Sequence, residues 1–280
     1  MTDILRQLEY VNVSDTGLKR PHNEDSSLTD EALGIAVVAD GMGGYKAGEV
    51  ASAIAVAIIM HELRTELRKR QVRGKPGQAG LTAESMIIRD AITKANQLIY
   101  KTAQEDPQCQ GMGTTVAMML FYENGFSAAH VGDSRIYRLR EGVFKQLSVD
   151  HSLIQELIDR GFFTAEEANA NTPKNLVTRA LGIEHEVEVD IQEDLVQIGD
   201  IYLMCSDGLT DMVADPLIRT TLLANLTDLP RAGAELIRLA NAAGGKDNCS
   251  IVMVRVREEQ AAPPGGDSFF GRLLRKFKGK

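Results

Sequence analysis

The sequence predicts an α+β fold in which antiparallel sheets carry helices on their outer faces. Two observations carry that prediction. Short apolar runs separated by turn signals recur through most of the chain, and they are interrupted twice by pairs of helical segments, once early and once just before the last apolar run.

In chain order, residues 9–14 and 35–39 read as strands. The stretch "AGEVASAIAVAIIMHELRTELRKR" reads as a long helix whose front half is buried, since it is apolar first and charged later. "VRGKPGQAG" is a Gly/Pro loop. A second helix follows, with Thr82 as N-cap and Ile87, Ala91, Ala95 and Leu98 on its buried stripe. "TTVAMMLFY", "FSAAHV", "RIYRLR" and "VFKQL" are joined at Asn124-Gly125, Gly132-Asp133 and Glu141-Gly142, which predicts an antiparallel meander. Residues 151–177 are polar and helical in character. Strands return near 186–191, 200–206 and 249–256, with helices at about 209–225 and 229–243. No internal repeat is visible. One domain is expected over residues 1–257.

Composition narrows the function classes. Hydrophobic residues at 44% and charged residues at 25% suit a globular protein, and the formal net charge of −8 argues against nucleic acid as a partner. Cys109, Cys205 and Cys249 are odd in number and lack metal spacing, which suits a reducing compartment and reads Cys205 and Cys249 as small buried residues. The first residues lack the layout of a secretory signal, and the most apolar helical segment is too short to span a bilayer. A cytoplasmic protein is the expectation.

Four segments place carboxylates beside glycine or a tight turn: "RPHNED" (Arg20 to Asp25), "ADGMGG" with Asp40, "CSDGLTD" with Asp207, and "GGKDNCS" with Asp247. A lone Asp-Gly is an ordinary turn. Two copies that close apolar runs, with a third carboxylate just before a strand, can converge at one edge of a sandwich. Converging carboxylates repel unless a cation neutralises them, and an all-oxygen set favours Mg²⁺ or Mn²⁺ over zinc. "GMGGYKAG" lacks the spacing of a phosphate-binding loop. His130 reads as a packed strand residue, and Thr114 and Thr115 as a strand start.

Together and in order, "SDTGLKRPHNED", "VVADGMGG", "GMGTT", "AHVGDSRIY", "LSVDHS", "VTRALG", "LMCSDGLTD" and "GGKDNCS" resemble the metal-dependent serine/threonine protein phosphatases of type 2C (the PPM family), in their bacterial form. The resemblance implies a four-layer α-β-β-α sandwich: two antiparallel sheets flanked by helix pairs, with two Mn²⁺ or Mg²⁺ ions at one end and a third, weaker one. It implies that Asp40 bridges two ions, that the Gly41 carbonyl ligates one, and that Asp207 and Asp247 hold the other. Glu24 and Asp25 would act through water, Asp133 would join Asp207 around the third ion, and Arg20 would grip the substrate phosphate. The implied reaction is attack of a metal-bridging water on phosphoserine or phosphothreonine in proteins, opposing a Ser/Thr kinase. Met42 stands where many relatives carry a His, so the general acid is unassigned, and no family role transfers to His22. Residues 151–177 match the variable flap, expected to influence substrate choice. A small-molecule phosphoesterase and an inactive phosphoprotein-binding regulator are the alternatives, the latter disfavoured because Arg20, Asp40, Asp207 and Asp247 are all present.

Residues 258–268 read as a linker and 269–280 as a basic amphipathic tail, with Phe269, Phe270, Leu273, Leu274 and Phe277 opposite Arg and Lys. Such a tail can frayed-end in water, or lie on an anionic membrane surface or an acidic partner. A monomer is expected.

Overall fold

The computed structural model describes residues 4–44, 46–69, 80–164, 167–168, 172–173 and 176–258. The predicted loop after the first helix, the linker and the tail fall almost wholly outside these residues.

The strands are β1 (Leu8–Asp15), β2 (Asp25–Asp30), β3 (Ile35–Met42), β4 (Gly113–Thr114), β5 (Val116–Tyr122), β6 (Gly125–Val131), β7 (Arg135–Arg140), β8 (Val143–Gln146), β9 (Asp190–Leu195), β10 (Ile201–Cys205) and β11 (Cys249–Val256). The helices are α1 (Ala47–Lys69), α2 (Ala83–Glu105), α3 (Leu153–Asp159), α4 (Asp207–Thr210), α5 (Asp215–Ala224) and α6 (Leu229–Ala242). One sheet has the order β1-β11-β10-β7-β8 and the other β2-β3-β5-β6-β9, with β4 paired to β3. All the strand pairs are antiparallel.

Three buried clusters define the layers. Ala36, Val38, Phe121, Tyr202 and Val252 pack between the sheets. Val37, Met118, Ile59, Ile92 and their neighbours join the second sheet to α1 and α2. Leu203, Ile251, Leu222 and Leu236 join the first sheet to α5 and α6. Strands buried on both faces read as continuous apolar runs, which is why β5 and β10 carry no polar alternation. The four-layer sandwich implied by the resemblance is the observed architecture.

Several local expectations are corrected. The meander is two hairpins in different sheets: β5–β6 lies in one and β7–β8 in the other, and the chain crosses between them at Gly132 to Ser134. Gly132 has φ +102°, which a side chain would resist, and Thr115 fills the space where its Cβ would stand. Strand β2 was not expected, because "DSSLTD" is a half-buried edge strand with one large apolar residue and no period-two signal. The ladder of β9 begins at Asp190 rather than 186, although Val187, Val189 and Ile191 do pack on the helical core. The helix expected at 209–225 is broken into α4 and α5, with Pro216 in the first turn of the second. On α2, Leu98 is 39% exposed and Ile99 takes its place in the core. The Thr82 cap is observed, its side chain accepting from the Ser85 N–H. Cys109, Cys205 and Cys249 are buried and free.

Candidate metal centre

Asp40 lies near the end of β3, and two threonines clamp its backbone. Its N–H donates to Thr115 Oγ1 (3.0 Å), and its carbonyl accepts from the Thr115 N–H (2.9 Å) and from Thr114 Oγ1 (2.8 Å). The sequence reads both threonines as a strand start; in the structure Thr114 closes β4, Thr115 lies between β4 and β5, and their hydroxyls fix the backbone that carries the central carboxylate. The following glycine is required by packing. A Cβ on Gly41 would stand 2.0 Å from the Gly48 carbonyl oxygen and 2.6 Å from that of Glu24, so the end of β3, the first turn of α1 and the 20–24 segment meet backbone to backbone.

Asp207 opens α4 immediately after β10, and Asp247 precedes β11. The adjacent Asn248, which the sequence reading did not single out, organises the loop opposite. Its Oδ1 accepts from the Glu24 N–H (2.7 Å), and its Nδ2 donates to the carbonyls of Thr16 and His22 (2.9 Å each). Arg20 is thereby placed with Nη2 donating to Asp247 Oδ2 at 2.6 Å. Asp133 arrives from the corner where the chain passes between sheets.

Arg20, Glu24, Asp40, Gly41, Asp133, Asp207 and Asp247 line one cavity of about 230 Å³, together with Met42, Thr115 and Val177. Asp25 is not on that lining. It faces Asp40 across the β2–β3 pair, behind the cavity, and accepts from Ser206 Oγ at 2.8 Å. His130 is a buried strand residue, its Nε2 2.7 Å from the Val149 carbonyl oxygen.

A sequence profile described as protein phosphatase 2C matches residues 20–247. The chain belongs to the protein phosphatase 2C family. It is 37% identical over 256 residues to the serine/threonine protein phosphatase PstP of Mycobacterium tuberculosis, covering 91% of this chain and 46% of PstP. The chain therefore spans less than half the length of that relative. It is 37% identical to the serine/threonine phosphatase stp of Listeria monocytogenes over 86% of this chain and 93% of that protein. The protein phosphatase PhpP of Streptococcus pneumoniae is 34% identical, with 91% of this chain and all of PhpP covered. A crystal structure of the M. tuberculosis PstP/Ppp superposes with a TM-score of 0.78 at 36% identity, covering 90% of this chain and 99% of that one. The PstP catalytic domain in complex with two manganese ions superposes with a TM-score of 0.76 at 36% identity, with the same coverage.

In this protein phosphatase 2C chain the electrostatics of the cavity test whether cations belong there. Burial, then repulsion from Asp25, Asp207, Asp133 and Asp247, holds the Asp40 carboxyl well above its ordinary range. Burial, then Asp133 and Asp247, pushes Asp207 up to about 8. Burial raises Asp25 and Asp133 to about 6 each. Asp207 Oδ1 and Asp25 Oδ1 are buried without a hydrogen-bond partner. Among the described residues Arg20 is the only cationic one on the lining, and it is engaged with Asp247. Buried carboxylates left without protein partners, all offering hard oxygen, fit divalent Mg²⁺ or Mn²⁺.

Proposed function

We propose that this chain is a metal-dependent protein serine/threonine phosphatase that hydrolyses phosphoserine and phosphothreonine. The observation that carries the reading is the cavity itself: carboxylates from separate segments meet where the chain supplies almost no positive charge. The similarity to the serine/threonine phosphatases PstP and stp and the protein phosphatase PhpP, and the two manganese ions of the PstP catalytic domain, support it. Asp40, Asp207 and Asp247 would hold the two principal ions, with the Gly41 carbonyl, and with Glu24 and Asp25 acting through bound water. Asp133 and Asp207 would hold a third. Bound there, such ions acidify water and screen the negative charge of a phosphate monoester.

The chain's own residues do the rest. Arg20 stands at the mouth with its side chain 47% exposed, and Nη2 alone is taken by Asp247. Nη1 stands 4.0 Å from Glu24 Oε2, beyond hydrogen-bond distance, which leaves N–H donors to grip phosphate oxygens in the planar, bidentate manner that lysine lacks. Thr115 and Thr114 hold the Asp40 backbone still, and Asn248 holds the segment that carries Arg20 and Glu24. Met42 lines the cavity and has no proton to give a leaving alkoxide.

Residues 1–257 form the catalytic unit in this reading. The 151–177 segment acts as its flap and influences substrate choice, supported by the Ser152–Val177 bridge at its base and by Val177 on the cavity lining. A Ser/Thr kinase is the opposing partner, and the enzyme works as a monomer. None of the described helices is long and apolar enough to cross a membrane. A cytoplasmic location follows in this reading, with residues 269–280 touching an anionic membrane surface or acidic partner through their basic and aromatic side chains. Loss of liposome co-sedimentation on deleting 268–280 checks the membrane contact.

The central test is phosphate release from phosphothreonine peptides with Mn²⁺. Turnover that a chelator abolishes is expected. Faster hydrolysis of nucleotides than of peptides would instead favour a small-molecule phosphoesterase, and no turnover of any ester a binding-only protein.

A further inference from the structure

His151 and Gly132 are joined twice. The Gly132 N–H donates to His151 Nδ1 at 3.0 Å, and the His151 N–H donates to the Gly132 carbonyl at 3.0 Å. Gly132 is the φ +102° corner residue whose next neighbour is Asp133. The same His151 holds the returning limb of the flap, because its carbonyl accepts from the Thr178 N–H at 2.8 Å and its neighbour Ser152 bridges Val177. His151 is buried, and its imidazole stacks on that of His130 with centroids 4.8 Å apart.

These contacts assign the tautomer. A backbone N–H can only donate, so Nδ1 carries the lone pair and Nε2 the proton. Nε2 lies 3.5 Å from Asp190 Oδ1. Arg179 Nη1 also approaches Nε2 at 3.0 Å and can only donate, so it competes for the lone pair of the ring, but it has other acceptors in Asp190 Oδ1 at 2.7 Å and the Glu188 carbonyl at 3.4 Å. His130, His151 and Asp190 have ligand atoms within 4.8 Å of one another. A cation there would need the lone pair of His151 Nε2, which the Gly132 bond excludes.

We propose that His151 is a positioning residue: through Nδ1 it fixes the Gly132 corner and so aims Asp133 into the cavity, from the point where the flap is anchored. The proposal rests on the reading of Asp133 as a metal ligand, and acts on that ligand through its backbone. Asn places an acceptor oxygen where Nδ1 stands, whereas Gln reaches only the Nε2 position, so the two variants separate the Gly132 bond from the filling of space.

The experiment titrates the full chain with Mn²⁺ alone and counts free ion by electron paramagnetic resonance, taking as reference the binding lost in Asp133→Ala. His151→Gln and His151→Ala are expected to weaken that binding ~10–100-fold, as loss of an outer-shell partner does, while His151→Asn stays near wild type and the tighter binding is unchanged. Wild-type binding by His151→Gln, or equal defects in the Asn and Gln variants, overturns the proposal. If the Ala variant does not fold, the Asn–Gln pair decides. If Asp133→Ala loses no Mn²⁺, the ligand reading of Asp133 fails instead. Nitrogen NMR of the metal-free protein then judges the corner directly: a proton on Nε2 with slow exchange at the Gly132 amide supports it, and a proton on Nδ1 overturns it.

Discussion

Asp200 and Asp207 flank the same strand, β10, and both carry oxygens withdrawn from water, yet the fold treats them in opposite ways. Asp200 is 1% exposed and fully engaged. Its carboxylate accepts from Arg140 Nε (2.8 Å) and Nη2 (2.7 Å), Tyr202 Oη (2.8 Å) and the Gln197 N–H (2.8 Å). Asp207 has a buried oxygen with no hydrogen-bond partner, and repulsion from Asp133, Asp247, Asp211 and Asp25 outweighs the nearby cation Arg20, whose hydrogen bond goes to Asp247. At one end of the sandwich the chain supplies its own cation, and the charge is structural. At the other the described residues bring Arg20 to several carboxylates, and in the proposed reading the surplus negative charge is what lets the site take up metal. Burial alone does not distinguish a functional carboxylate from a scaffolding one; the source of its countercharge does.

The largest test of that contrast is Asp207→Asn. Turnover of a phosphothreonine peptide with Mn²⁺ is expected to fall by more than the ~100-fold typical of an outer-shell change, while the metal-free protein melts at the same or a higher temperature. Loss of stability with retained turnover would reverse the roles given to the two ends. Arg140→Ala should do the opposite. It strands Asp200, so urea unfolding should show a loss of about 3–5 kcal/mol, with activity per folded molecule preserved. Next comes pH. Asp207 is raised from 3.8 to about 8 by folding, so the metal-free native state keeps a proton that the unfolded chain has released. The stability linked to that proton is complete below the lower value and disappears as pH rises through the upper one. Melting temperature in chelator should therefore fall across that interval, Mn²⁺ should remove the decline, and Asp207→Asn should flatten it. The smallest effect is expected for Asn248→Ala. Three hydrogen bonds to the 16–24 segment go, at about 1–3 kcal/mol, and KM should rise more than kcat falls because Arg20 loosens. Equal losses in both parameters would mean that Asn248 does more than hold the loop.

The same contrast explains what could be read in advance. Asp40 and Asp207 stood out because each is followed by glycine at the end of an apolar run, and Asp247 because it follows a Gly-Gly turn signal just before one, conflicts visible within a few residues. Asp25, expected to act through water, stands off the cavity lining and faces Asp40 across β2–β3, since strand register rather than spacing sets its depth. Asn248 lay inside a quoted motif and was passed over, because its work is hydrogen bonding to residues more than 220 positions away. Nor could the arginine that neutralises Asp200 be read from the sequence, since Arg140 is 60 residues from its partner.

Local chemistry in the sequence determined the apolar runs that become β3, β5, β10 and β11, the N-cap at Thr82, the long helices and the carboxylate segments themselves. These depend on side-chain period and turn preference, which act over a handful of neighbours. The tertiary structure decided that the run from 113 to 146 splits between two sheets at Gly132, that β2 pairs at an edge despite its polar face, and which buried aspartate meets an arginine. Each of those outcomes depends on contacts between distant segments, and burial magnifies them: once water is excluded, the energy of a charge is set by whatever the fold has placed beside it.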